Sequence, residues 1–161
     1  GRPLNLRPAG YHAMDSLRCE KGYRHWGHDI TSIDTPVEAG LGFAVGWDKE
    51  IDFIGRAAVE AQRGKPLQKR MVLFKLTDSK PMMYHDEPIY RDNKRVGAIS
   101  SAAYGHTLGA SVGMGYVEYL GGVDKEYLES GSFEIDIAGE RIPTEASLRP
   151  FYDPTSGRVK V

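Results

Sequence analysis

The 161-residue sequence has one cysteine, Cys19, so no disulfide framework can form within the chain and a reducing compartment is the expected setting. No apolar run approaches the roughly 20 residues that a membrane-spanning helix needs. Net charge is −1, with 21 basic residues against 22 acidic, which removes any bulk attraction to nucleic acid or to an anionic membrane. An oligonucleotide-binding barrel would need a basic groove with stacking aromatics, and this balance argues against one. The dinucleotide fingerprint is missing too. Gly40 and Gly42 are followed by Val45 where a third glycine should stand, and Gly113-x-Gly115 runs into Tyr116 rather than into a helix. No Ser-His-Asp or Cys-His grouping stands out by spacing. The opening Gly1-Arg2-Pro3 is neither a Met start nor a signal peptide, and the chain reads as if cut from something longer.

What is present suits a soluble globular protein of one domain or one and a half, with 40% hydrophobic and 27% charged residues. Pro8 can open a helix, and Gly10, Ala13, Met14 and Leu17 then recur at helical spacing up to a stop at Gly22. Asp34-Thr35-Pro36-Val37 is a turn, because proline fixes its own φ and holds Thr35 extended. A second helix is expected from Phe53 to Arg63, capped by Asp52, stopped by Gly64, and striped by Phe53, Ile54, Ala57, Ala58 and Ala61. Gly64-Lys65-Pro66 marks a boundary between 1–66 and 67–161.

Beyond it the period becomes two. From Lys69 to Leu76 the chain reads as a strand, buried on both faces near its start. Glu87 to Tyr90 and Arg95 to Ser101 flank a turn at 91–94. From Gly109 to Tyr119 small residues at 109, 111, 113 and 115 alternate with Val112, Met114 and Tyr116, as a tightly curved sheet needs. Phe133 to Ile137 and Arg141 to Leu148 follow, with Pro143 indicating an edge or a bulge. Six strands with short turns and no helix between them give an α+β chain: helices, then a small antiparallel barrel or sandwich.

The densest chemistry lies between Asp15 and Asp29, with two arginines, three acids, two histidines, Tyr23 and Trp26. Arg18 can pair with Asp15 or Glu20 as a structural ion pair, or it can face a ligand. His25 and His28 lack a third ligand cluster and Gly27 breaks the helix that would align them, so they read as surface or hydrogen-bonding histidines, not a metal site. Phe43 follows a run of small residues that permits close approach, either to a ligand or to a packed neighbour.

The motifs Asp15-Ser16-Leu17-Arg18, Glu20, Gly22, Gly27, Asp29-Ile30 and Thr35-Pro36-Val37-Glu38 resemble those of the folate-dependent aminomethyltransferases, the glycine-cleavage T proteins and their relatives. Met14 stands where T proteins carry a folate-binding arginine, so the resemblance does not carry that contact over. The segment Glu20 to Arg24 with Trp26-Gly27 more closely resembles the T-protein-like half of dimethylglycine and sarcosine dehydrogenases.

The resemblance implies the last part of a folate-binding domain in 1–66, an incomplete one, and a C-terminal six-stranded barrel in 67–161. It implies an enzyme that passes a one-carbon unit from an amine to tetrahydrofolate, with FAD only in a preceding flavin half, in a bacterial cytoplasm or the mitochondrial matrix. Phe43 would flank the folate, with Tyr23, Trp26, Arg18 and Glu38 around it. The family's catalytic aspartate and pterin-anchoring glutamate are not in these residues, so no catalytic residue is expected here and the isolated chain is expected to be inactive. Its uncovered helical faces are expected to self-associate. The competing reading is a non-catalytic barrel used for packing or subunit docking.

Overall fold

A computed structural model describes residues 1–160. The first helix, α1 (Tyr11–Lys21), begins after Gly10 in extended conformation, so Pro8 lies ahead of it and does not open it. Gly22 ends it in the left-handed conformation, φ 64°, donating to the carbonyls of Arg18 and Cys19. The buried face of α1 is Ser16, Cys19 and Glu20. The stripe expected from Ala13, Met14 and Leu17 points outward, because α1 docks through the polar anchors Ser16 and Glu20 with Cys19 between them packed on the barrel's outer apolar cluster. The second helix, α2 (Arg56–Glu60), is much shorter than expected. Gly55 at φ 88° breaks the chain just before it, and Asp52 accepts from the Phe53 amide without capping α2.

Six strands follow, β1 (Lys69–Leu76), β2 (Pro88–Arg91), β3 (Lys94–Gly105), β4 (Ala110–Glu118), β5 (Phe133–Ile137) and β6 (Glu140–Ser147). They close a barrel in the order β1-β4-β3-β2-β5-β6, every described pairing being antiparallel. Two hairpins turn in two residues with positive φ, Asp92–Asn93 and Ala138–Gly139, the geometry that matches strand twist. The barrel has no edge, so Pro143 is not an edge residue. It opposes Glu134 and its carbonyl accepts from Thr77, placing the missing N–H beside the end of β1 where no ladder bond is required.

A one-turn helix, α3 (Lys125–Glu129), stands between β4 and β5 where no helix was expected. Asp124 caps it by accepting from the Tyr127 amide, a signal visible in the sequence but overlooked within a long strand-rich stretch.

The barrel interior is filled by Val72, Phe74 and Leu76 from β1 with Ile89, Ile99, Val117, Phe133, Ile135 and Ile142. The other face of β1, Met71 and Leu73, joins Val112 and Met114 under Cys19 of α1. On β4 the small residues turn inward: a Cβ on Gly113 would meet the Met83 sulfur at 2.7 Å, and one on Gly115 the Ala98 carbonyl at 2.2 Å. Tight curvature is therefore obtained by removing side chains from the concave face.

Candidate functional site

Two polar anchors fix α1 and the loop after it on the barrel wall. Glu20 is buried, and its Oε1 accepts from the amides of Thr107 (2.7 Å) and Leu108 (3.0 Å) at the β3–β4 turn. Asp29 is buried as well; it accepts from Arg18 Nη1 at 2.7 Å, the His25 amide at 2.7 Å and Ser100 Oγ at 2.6 Å. Arg18 also donates to Asp15 and to Ser101 Oγ. The structural pairing expected for Arg18 exists with Asp15, while Glu20 is engaged elsewhere and Asp29 is the stronger partner. Burial pushes the Cys19 thiol up to about 11, which leaves it an inert packing group.

The loop pinned by Asp29 carries Tyr23 and Arg24 to a cavity of about 700 Å³. Its other walls come from the 40–43 turn and from the tail between Leu148 and Lys160. Gly40 is needed at φ 70°, since a Cβ there would lie 2.7 Å from Arg24 Nη2. Just past it, the turn presents Phe43 to solvent at 85% exposure. Arg24 is held by the carbonyls of Ala39 and Gly22, with no carboxylate in ion-pair contact among the described residues. Burial lowers its pKa, the mark of a cation desolvated without full compensation. Lys21, Arg149 and Lys160 add positive charge, and among the described residues no acid lines this cavity. Lys21 is the paired one, bound to Asp153 at 3.1 Å.

Of the residues named from sequence, Phe43 and Tyr23 are brought together here. Arg18 lies in the anchor network beneath. Trp26 is 68% exposed on the outside of the same loop. Glu38 caps its own turn, accepting from the Thr35 amide and hydroxyl, and borders a different cavity of about 910 Å³ with Lys69, Arg95 and Tyr116. Sequence reasoning quoted Arg24 within a motif without giving it a task, and it missed the tail residues Arg149 and Lys160, whose charges give no local pattern. It quoted Asp29 as a motif residue without assigning it a task. His25, His28 and His85 form a row with ring centroids 6.1 and 6.0 Å apart, and among the described residues no three His, Cys, Asp or Glu converge on a point that could hold a metal.

A closed six-stranded barrel with a helix-and-loop segment pinned to its wall by Glu20 and Asp29 defines a recognisable class. The chain belongs to the glycine cleavage T-protein C-terminal barrel domain family, whose model matches residues 69–153, and residues 1–49 match the GCVT N-terminal domain. Among particular proteins, it is 43% identical over 160 residues to 4-methylaminobutanoate oxidase (formaldehyde-forming) of Paenarthrobacter nicotinovorans, covering 99% of this chain and 19% of that protein. It is 37% identical to the mitochondrial sarcosine dehydrogenase of Homo sapiens, covering 99% of this chain and 18% of that one. The crystal structure of glycine cleavage system aminomethyltransferase T from Bartonella henselae superposes with a TM-score of 0.72 at 27% identity, over 88% of this chain and 38% of the other. The chain thus spans well under half the length of each of these proteins.

Proposed function

We propose that this chain is part of a tetrahydrofolate-dependent enzyme of one-carbon transfer from an amine, and that the cavity bordered by Phe43 and Tyr23 takes the folate. The observation that carries the reading is the pairing of two exposed aromatics with a wall that is cationic and, among the described residues, free of acids. Folate has a flat aromatic body and a carboxylate-bearing end. The Phe43 and Tyr23 rings suit the first, and Arg24 with Lys160 suits the second. Trp26, Arg18 and Glu38 do not touch this cavity. Arg18 supports it from below by holding Asp29 and, through it, the Tyr23–Arg24 loop.

Tetrahydrofolate supplies the nucleophilic nitrogen that accepts the one-carbon unit. This chain's part is to bind and orient it and to keep water from the reacting carbon, since water would release formaldehyde. No residue of 1–161 is assigned a catalytic proton or a nucleophile. Gly40 and Gly42 lead only into a three-residue 3-10 turn, Gly42–Ala44, and Gly113 and Gly115 lie within β4, so neither glycine run opens an α-helix as a dinucleotide pyrophosphate site does. The setting we propose is a bacterial cytoplasm or the mitochondrial matrix.

Titration of tetrahydrofolate against the parent protein and its Phe43→Ala variant tests the reading. The expected result is affinity weakened about tenfold, the order expected for losing one aromatic face and its buried area. Unchanged affinity with unchanged melting would remove Phe43 from the folate site and favour the packing-module reading.

A further inference from the structure

Arg70 is the feature that the folate reading leaves unexplained. It shares the inward parity of Val72, Phe74 and Leu76 on β1, so it points toward the inside at the barrel's end. Its one hydrogen bond among the described residues runs from Nη1 to the Val123 carbonyl, and no carboxylate is within ion-pair distance. Burial lowers its pKa, and Asp124, the acid that acts on it, is occupied in capping α3. A partly buried guanidinium with free donors is costly unless an anion meets it.

Beside Arg70 a cleft of about 580 Å³ opens at the barrel mouth, between α3 and the end of β6. Its floor is Leu128, Ala146 and Leu148, which pack on the barrel core and continue it to the surface. Its rim adds Lys125 and Arg149; the one acid, Glu129, lies 3.5 Å from Lys125. Mouths of barrels are common ligand sites, and this volume is in the range of known small-molecule pockets.

We infer that the barrel mouth between α3 and β6 is a second binding site, for a small organic carboxylate whose short apolar body lies on Leu128 and Leu148 and whose head group meets Arg70 and Arg149. The site opens on the other side of the 148–149 segment from the Phe43 cavity, and Leu148 and Arg149 line both.

The test is titration of the isotopically labelled 161-residue chain, followed by amide chemical shifts, with hexanoate and with its uncharged counterpart hexan-1-ol. Hexanoate is expected to give saturable shifts centred on Leu128 and Ala146, which line this cleft and not the Phe43 cavity, and hexan-1-ol is expected to bind at least about tenfold more weakly. Arg70→Met, which keeps the stem and removes the charge, is expected to abolish the difference between the two. Should that variant fail to fold, Arg149→Ala, at an exposed position, is expected to weaken hexanoate several-fold. Absence of saturable shifts, equal binding of the alcohol, shifts centred on Phe43, or hexanoate affinity indifferent to the substitutions would each overturn the inference.

Discussion

The barrel and the segment before it are held by different forces. Among the described residues the barrel buries thirteen in one interior cluster, nine of them from strands that pair on both sides and the rest from α3 and two loops. From residue 1 to 68 the buried apolar residues are Cys19 and Ala39 alone, while Ser16, Glu20 and Asp29 are the buried polar ones. Leu4, Leu6, Ile33, Ile51 and Ile54 remain largely exposed. The first region is stabilised by apolar area, and the second is fastened by a few hydrogen-bonded charges. Apolar burial is non-directional and tolerates small shifts, whereas a buried carboxylate is useful only in one geometry. The wall of the proposed folate cavity, which must keep Tyr23 and Arg24 in register, is better served by the second kind of fastening.

The largest effect expected is from Phe74→Ala, which should cost about 3–5 kcal/mol as a core cavity and lower the melting of the whole chain. Asp29→Ala should come next, at roughly 3 kcal/mol, because it leaves Arg18 without its buried partner. Amide hydrogen exchange should separate the two variants: for Asp29→Ala protection falls in 11–30 and is kept in β2 and β5. Loss spread evenly over the barrel would erase the distinction between the regions. Arg18→Met should behave like Asp29→Ala, since it breaks the same pair from the other side. Glu20→Ala is smaller, about 1–3 kcal/mol for two orphaned amides at Thr107 and Leu108.

The smallest is Lys69→Met, within about 1 kcal/mol for a partly exposed pair with Asp34. Burial pushes the Asp34 carboxyl up, but hydrogen bonds from Lys69 and Thr31 outweigh it and the net shift is down. A depressed carboxylate adds stability above its unfolded pKa of about 3.9 and loses it as pH falls through the lower folded value. The difference between wild type and Lys69→Met should therefore be present at neutral pH and vanish in acid; a difference that grew on acidification would contradict the assignment.

Much of the barrel was legible because its signals are local. Alternation in β1, β4 and β5, the turn residues at 92–93 and 138–139, and the small inward face of β4 each follow from a few consecutive residues. The first 66 residues were legible as motifs and poorly as geometry. Ala13, Met14 and Leu17 have the spacing of a buried face yet point outward, because Ser16 and Glu20 meet partners some 88 residues away that no window contains. The expected helix from 53 to 63 failed for a local reason, the left-handed Gly55, which the run of good helix formers after it masked. Phe43 with Tyr23 came from the family motif, but the cations opposite them come from a tail more than a hundred residues further on. The boundary near residue 66 is our reading of a change of period, and limited proteolysis that cuts first between Ala61 and Gln68 would support it.

β1 serves two interiors at once, Val72 and Phe74 within the barrel and Met71 and Leu73 beneath α1. For anyone transplanting the barrel, Lys69 is therefore the wrong place to cut. A graft starting there would keep every ladder hydrogen bond of the sheet yet display Met71, Leu73, Val112 and Met114 as a bare patch, and such a patch invites aggregation. The smallest exchangeable unit begins at Tyr11, and variation at these four positions must be read together with the helix that covers them.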